Sequence, residues 1–485
     1  MRFNVMEGPE LMPLSPGGWV LELAESARRA AGRPVRVTLA AGSPGAELPV
    51  ARFDLPGERY SVTPRMASSG GHARGRFRLE VQRTAMARES GAPRQSGWRA
   101  EPGRVKRRLI RYSRSPLFRI LYLLARRLVR HNGRRILFSS DSRAELGGNL
   151  KVVHDRMIER GFDRDYELRG LFKPSIADRR SFADRLRLPW MLARADVILI
   201  EDYQPIIYQI DDPAVRIVQL WHASGAFKTV GYSRVGKPGG PNPYSRIHKN
   251  YTHAIVSSDH DVPFYAEAFG IPESRVVPTG IPRMDRFFDP VSREAGRTAA
   301  LAAFPAARDR MTILFAPTFR GDARLAWYDM DRLDLAALHA LAVEKDAVVI
   351  FKMHPFLREP LTIPEALSDR LIDGSRVDID VNDLLFIVDL LVTDYSSLVF
   401  EYSTLGRPML FFAYDLDEYI AERDFYEPFE SFVPGRIVRT FPDLLDAVRR
   451  DDYDVDKVAA FAAAHFAHLD GSATDRVIED LVLAR

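Results

Sequence analysis

Residues Asp389 to Asp415 read DLLVTDYSSLVFEYSTLGRPMLFFAYD, and their pattern is strand, helix, strand. Leu398, Val399, Tyr402 and Leu405 recur at helical spacing, Gly406 is placed to stop the helix, and Pro408 opens a second apolar strand. Apolar runs that alternate with helices predict an α/β chain built on parallel sheets. Two serines stand where the first strand hands over to the helix. Ser396 and Ser397 can cap its free N–H groups, and that junction attracts an anion such as phosphate. Glu401 lies one turn beyond Ser397 on the same face, where it can accept hydrogen bonds from a ribose. A serine at a helix start is in general only a cap, so the junction needs company before it counts as a site.

Company comes from two more apolar runs. MTILFAP, Met311 to Pro317, is followed by Thr318, Phe319 and Arg320; AVVIFKMHP, Ala347 to Pro355, delivers Lys352 and His354. Ligands of open parallel sheets bind beyond the carboxyl ends of the strands, so Thr318, Arg320, Lys352, His354, Asp394 and Ser396 are expected to converge on one crevice suited to a pyrophosphate. An earlier run, VRIVQLW, Val215 to Trp221, leads into His222 and the small residues Ala223, Ser224 and Gly225. Two sheets facing a cleft would bring His222 and His354 in from opposite walls at equivalent positions, each with a lysine nearby in sequence, Lys228 and Lys352. A lone histidine at a strand end is more often structural; a pair points to chemistry, because an imidazole with a pKa near 6.5 can take a hydroxyl proton at neutral pH.

Several ordered motifs then resemble the CDP-glycerol glycerophosphotransferases, the polyol-phosphate primases and polymerases of teichoic acids and related capsules. They are ILFSSDSRAELGGN (Ile136 to Asn149), QLWHASGAFKTVGYS (Gln219 to Ser233), TGIPRMD (Thr279 to Asp285), ILFAPTFRGD (Ile313 to Asp322), KMHP (Lys352 to Pro355) and VTDYSSLVFEYSTLGRPMLFFAYD (Val392 to Asp415). The resemblance runs from about Arg135 to the C-terminus. It implies a GT-B-like fold of two Rossmann-like domains, with nucleotide-polyol contacts at His222, Ala223, Ser224, Gly225, Ala226, Arg283, Thr318, Phe319, Lys352, Met353, His354, Ser396, Ser397 and Glu401. It further implies that His222 is the general base for an acceptor hydroxyl that attacks the β-phosphorus and expels CMP, with His354, Arg283 and Lys352 stabilising charge. The donor would be CDP-glycerol or CDP-ribitol, with no cofactor required by the sequence and no bearing on Mg²⁺ dependence. His222-Ala223-Ser224-Gly225 is closer to ribitol-type and capsule-type branches than to the common His-Gly-Thr-Pro. Arg283-Met284-Asp285 and Glu401 replace the usual Arg-Asn-Asp and Asp. The polyol therefore stays open.

The 485 residues allow two or three domains with sizeable cores, and the absence of cysteine excludes a disulfide framework. No run approaches a transmembrane helix, and the N-terminus lacks the basic start and apolar middle of a signal peptide. The expected location is peripheral, on the cytoplasmic face of the cell membrane. Net charge is only +4, yet Arg104 to Arg135 holds twelve Lys or Arg and no acid, interleaved with leucines and isoleucines. Such a segment can lay an apolar stripe on an anionic membrane surface, near a lipid-linked polyol-phosphate or glycan acceptor, each basic residue contributing roughly 1 kcal/mol. The plainer reading is a solvated basic helix packed on the next domain. No nucleic-acid module accompanies it.

The expected domains are a β-rich accessory region and linker (1–102), the basic amphipathic segment (103–134), an N-terminal acceptor-side half (135–288) and a C-terminal nucleotide-side half (289–485). The strand-like runs of the first region lie between about Gly32 and Arg83, and Glu89 to Gly103 reads as a linker. The eleven histidines show no metal-ligand spacing, and no metal site is expected. A sugar-nucleotide glycosyltransferase is the alternative enzyme, distinguished by its leaving group. A non-catalytic membrane-surface protein is the alternative from another class, distinguished by indifference to changes at His222. The sequence leaves oligomeric state open.

Overall fold

The computed structural model describes residues 118–484 apart from 177, 179, 211, 237–239, 322–325 and 358–360, together with the backbone of five strands nearer the N-terminus. The linker and residues 104–117 of the basic segment lie outside the described residues. The chain divides into two units, Met1–Lys106 and Arg107–Arg485. In the first, β1 (Gly18–Glu22) and β2 (Arg36–Ala40) pair antiparallel, and β3 (Ala51–Leu55), β4 (Glu58–Ala67) and β5 (Arg76–Ala85) form an antiparallel sheet.

The second unit holds two six-stranded parallel sheets, as the apolar runs predict. The first comprises β6 (Arg135–Ser140), β7 (Glu167–Phe172), β8 (Val197–Ile200), β9 (Arg216–Gln219), β10 (His253–Ile255) and β11 (Val276–Val277), in spatial order β11-β10-β9-β8-β6-β7. The second comprises β12 (Met311–Ala316), β13 (Ala347–Phe351), β14 (Leu371–Asp373), β15 (Leu390–Thr393), β16 (Met409–Phe412) and β17 (Arg436–Val438), in order β14-β13-β12-β15-β16-β17. Every residue of β8, β13, β15 and β16 is buried, because helices cover both faces.

Each sheet reverses its direction of growth once, and that switch opens a crevice at the carboxyl ends of the flanking strands. In the second sheet the switch lies between β12 and β15, which deliver Thr318 and Ser396. In the first it lies between β6 and β8, which deliver Ser142 and Asp202. One apolar core is shared by the two sheets, including Phe138, Val153 and Leu220 from the first and Leu314, Tyr395 and Phe400 from the second. The end of the chain returns to the first sheet: Arg216 Nη1 donates to the Leu481 carbonyl at 2.8 Å, and Arg156 pairs with Asp475 at 2.7 Å.

Residues 118–128 form a helix. Phe118, Tyr122 and Ala125 face inward onto the core that contains Leu188 and Ile198. The opposite face leaves Ile120, Leu123, Leu124 and Leu128 exposed, the last at 76%.

Candidate active site

His222 follows β9 and projects from it, its side chain 45% exposed. The residue before it, Trp221, adopts φ 48°, a left-handed conformation that costs a bulky residue free energy and that its surroundings must hold in place. They do so through hydrogen bonds: Asn149 Nδ2 donates to the Trp221 carbonyl at 2.7 Å, and the Trp221 N–H donates to Gln219 Oε1 at 2.9 Å. The result aims His222 Nδ1 at Asp202 Oδ1, 2.9 Å away. Burial pushes the Asp202 carboxyl up, but the hydrogen bond from His222, the charge of that ring and the hydroxyl of Ser142 outweigh it and hold Asp202 below the usual carboxylate range. An ionised Asp202 accepts a hydrogen bond from Nδ1–H and so fixes the tautomer, leaving the Nε2 lone pair for an incoming hydroxyl. Asp202 and Ser142 lie twenty and eighty residues upstream of His222 in the fold's other loops, and sequence reasoning missed both as partners.

His354 is prepared in the opposite sense. The Phe356 N–H donates to its Nδ1 at 3.2 Å, which places the ring proton on Nε2 as a donor. Burial and then the positive charge of Lys228 hold its pKa below the ordinary value, so the ring is neutral near pH 7. Its ring packs against Phe319 at 4.6 Å and Phe356 at 4.7 Å between centroids. Lys228, from the loop after His222, is half-buried; burial pushes its ammonium down to about 8, against the attraction of Asp394. It brings a positive charge from the first sheet to the strand ends of the second. The two histidines do not occupy equivalent strands: His222 follows the fourth strand of its sheet and His354 the second of its own.

A buried lock joins the sheets beside these groups. Ser224 Oγ donates to Glu401 Oε1 at 2.7 Å, Arg283 Nη2 donates to the same oxygen, and the Arg283 N–H donates to Asn149 Oδ1 at 2.9 Å. Glu401 is 2% exposed, its Oε1 held by Ser224 and Arg283 of the first sheet while its Oε2 has no hydrogen-bond partner. Gly225 passes so close to the helix Leu398–Ser403 that a Cβ there would sit 2.1 Å from Phe400. Ser224, Gly225 and Ala226 accordingly pack inward, Ala226 giving its N–H to Asp261 Oδ1 at 3.1 Å. Of the segment His222 to Ala226, His222 and Ala223 keep solvent exposure.

Other expected contacts are also differently employed. Arg320 is 4% exposed, paired with Asp394 at 2.9 Å and with Asp415 at 2.5 Å, and enclosed by Tyr328, Tyr395, Tyr414 and Tyr419. It braces the strand ends and presents no free guanidinium to a phosphate. Asp394 also accepts the Thr318 N–H at 2.7 Å, fixing the turn after β12. Lys352 Nζ donates to the carbonyls of Gly374 and Val377 at 2.9 and 3.0 Å, and Met353 is buried in the core of the second sheet. Ser396 accepts the Leu398 N–H at 3.3 Å, a local cap, while Ser397 makes no capping bond and is exposed. These polar groups lie at the strand ends, as expected, but several are satisfied by the protein itself.

Residues 120–483 match the family model described as CDP-Glycerol:Poly(glycerophosphate) glycerophosphotransferase. The teichoic acid ribitol-phosphate polymerase TarK of Staphylococcus aureus is 43% identical over 425 residues, 87% of this chain and 81% of that protein. The teichoic acid poly(ribitol-phosphate) polymerase of Bacillus spizizenii is 38% identical over 384 residues, 79% of this chain but 61% of the relative, so the chain spans about three fifths of that protein's length. The solved structure of the wall teichoic acid polymerase TagF superposes with a TM-score of 0.61 at 23% identity, covering 78% of this chain and 94% of its own, a likeness of fold.

Proposed function

The chain belongs to the CDP-Glycerol:Poly(glycerophosphate) glycerophosphotransferase family, and from that premise we propose that it transfers ribitol phosphate from CDP-ribitol to a hydroxyl of a lipid-linked or polymeric polyol-phosphate acceptor, releasing CMP. Polyol-phosphate transfer from a CDP-activated donor in teichoic acid synthesis is the activity of this family; ribitol is favoured because the relatives of 43% and 38% identity are ribitol-phosphate polymerases. Under this reading the two parallel sheets act as the halves of a GT-B enzyme, 135–288 presenting the acceptor and 289–485 holding the nucleotide.

The observation that carries the chemistry is the Asp202–His222 pair at 2.9 Å. His222 Nε2 accepts the proton of the acceptor hydroxyl as that oxygen bonds to the β-phosphorus, and the bond from phosphorus to the bridging oxygen of CMP breaks. Asp202 steadies the imidazolium that results. His354 Nε2–H and the Lys228 ammonium supply donors and charge for the pyrophosphate oxygens. Arg283 sets the relation of the two sheets through Glu401, and Thr318, Ser396 and Ser397 shape the nucleotide crevice.

The helix 118–128 is the membrane contact in this proposal. Among the described residues no helix is long and apolar enough to cross a membrane. The exposed row Ile120, Leu123, Leu124 and Leu128, with exposed Arg119, Arg127 and Arg130 beside it, suits an interfacial helix on an anionic leaflet.

The test is CMP release from CDP-ribitol and CDP-glycerol with an oligomeric polyol-phosphate acceptor, run with and without anionic vesicles. Acceptor-dependent CMP from CDP-ribitol at a rate at least about tenfold above CDP-glycerol is expected. A preference for CDP-glycerol would overturn the choice of polyol, and no CMP from either donor would overturn the activity. Vesicle binding should weaken when Leu124 and Leu128 are both changed to Ser.

A further inference from the structure

Away from the crevice, three ligand-type side chains meet where segments distant in sequence pack together. His260 and Asp261 occupy the turn Asp259–Asp261 that enters the helix Val262–Phe269, and His465 ends the helix Asp456–His465. One ligand atom of each lies within 4.8 Å of the others. The sequence shows no metal-ligand spacing here because Asp261 and His465 are about two hundred residues apart; the fold makes the cluster.

Two atoms of this cluster lack what buried polar atoms ordinarily have. Asp261 is wholly buried, and while its Oδ1 accepts the Ala226 N–H, its Oδ2 has no hydrogen-bond partner. His465 is 6% exposed and its Nδ1 is likewise without a partner. A protein seldom buries a carboxylate oxygen and an imidazole nitrogen side by side and leaves both unsatisfied. His260 completes the set from the solvent side. Its Nδ1 lies 3.9 Å from Asp261 Oδ1, and its Nε2 is 3.5 Å from Glu427 Oε1. A carboxylate behind one ring nitrogen is how proteins orient an imidazole whose other nitrogen binds a metal.

We propose that His260, Asp261 and His465 form a binding site for one divalent cation of the zinc class, with Glu427 orienting His260. Two imidazoles and one carboxylate favour Zn²⁺ over Mg²⁺, which prefers oxygen ligands throughout. Bonds of about 2 Å in tetrahedral geometry set ligand atoms roughly 3.3 Å apart, a spacing that side-chain rotation can reach from the observed one. The fourth position falls to water.

The location gives the cation a role. Asp261 holds the backbone of Ala226, four residues beyond His222. His465 packs on Phe461 at 4.2 Å and on Phe400, in the helix that carries Glu401, at 5.6 Å between centroids. Just past it, the Ala467 N–H donates to the Ser257 carbonyl. A bound cation pins the first sheet to the last helices at a point outside the reacting groups, and it fixes how the two sheets are presented to each other. The inference rests on these contacts and stands whether or not the polyol assignment does.

The experiment uses the full chain without a histidine tag, stripped with EDTA. Zn²⁺ is titrated by calorimetry, Co²⁺ by its visible absorption, and Mg²⁺ serves as the contrasting ion. One equivalent of Zn²⁺ is expected to bind and to raise the melting temperature by about 2 °C or more at saturation, and Co²⁺ added to the stripped chain is expected to give tetrahedral-type bands that Zn²⁺ then abolishes. His260→Ala, at an exposed ring, should weaken binding about 100-fold, and Glu427→Gln about 10-fold. Asp261→Asn keeps an oxygen for Ala226 and should still abolish the Co²⁺ bands. Absence of stoichiometric binding in the unaltered protein overturns the proposal, and so does binding that survives both His260→Ala and Asp261→Asn.

Discussion

His222 and His354 both stand beyond the carboxyl end of a parallel strand, and their surroundings sort them into different work. At His222 a carboxylate meets Nδ1, so the proton is drawn to that side and Nε2 is left as an acceptor. At His354 a backbone N–H meets Nδ1, so the proton is forced onto Nε2 and that nitrogen becomes a donor. One ring is 45% exposed at the first sheet; the other is backed by two phenylalanines and faces the charge of Lys228. The lesson is that the partner of Nδ1, and not the residue type or the strand end, assigns acid–base direction. A strand-end histidine is read from its neighbour.

The largest effect should come from removing the acceptor nitrogen. His222→Ala is expected to lower kcat by about 10³ to 10⁴, the upper range for loss of a general base. Asp202→Asn keeps the shape but offers Nδ1 a donor or a weaker acceptor. It should cost about 10²-fold in kcat with KM nearly unchanged, because the carboxylate acts on the proton and not on substrate binding. If Asp202→Asn raised KM alone, Asp202 would be a substrate contact and the contrast between the histidines would lose its basis.

His354→Ala should lower kcat by about 10²-fold, the scale for deleting one donor to developing negative charge. His354→Gln, which restores an N–H near the same place, should recover part of the loss; the same exchange at His222 should recover nothing. Steady-state CMP release measures all four variants. Recovery at both positions, or at neither, would erase the distinction drawn from their hydrogen bonds.

Much of this was legible before any coordinates. The buried runs at β9, β12, β13 and β15, and the residues that follow them, forecast two parallel sheets and a polar crevice because a parallel strand is apolar along its whole length and its loop carries function. What stayed illegible was how each polar side chain spends its hydrogen bonds. Arg320, Lys352 and Glu401 have the right type and position for a nucleotide, yet the fold engages them with Asp394 and Asp415, with the carbonyls of Gly374 and Val377, and with Ser224 and Arg283. Those partners come from other loops, and no local pattern encodes them. Asp202 escaped for the same reason: VILIED, Val197 to Asp202, reads as a strand ending in two acids, and nothing nearby says that one of them finds a histidine twenty residues on.

A third histidine supplies the sharpest control, with the smallest expected effect. His248 is fully buried, its Nδ1 2.8 Å from the Tyr251 hydroxyl, and it is ringed by Tyr203, Tyr208, Trp221 and Phe269. Burial pushes its pKa down to about 3. The unfolded chain takes up the proton near pH 6.5 while the folded chain refuses it, so His248 costs no stability at pH 7 and a growing amount as pH falls from 6.5 toward 3. At pH 5 the cost is about 2 kcal/mol, from about 1.4 kcal/mol per pH unit. Its backbone has φ 64°, which asparagine tolerates, so His248→Asn is the variant of choice. The variant should be less stable than the parent at pH 7 and lose less on going to pH 5, as measured by urea unfolding at each pH. Substitution at His248 should leave the acid–base contrast at the crevice intact, since no proton moves through a ring enclosed on every side; an equal loss of stability for parent and variant between pH 7 and 5 would mean that this ring takes up its proton in the folded state and is not the neutral packing element that its surroundings make it.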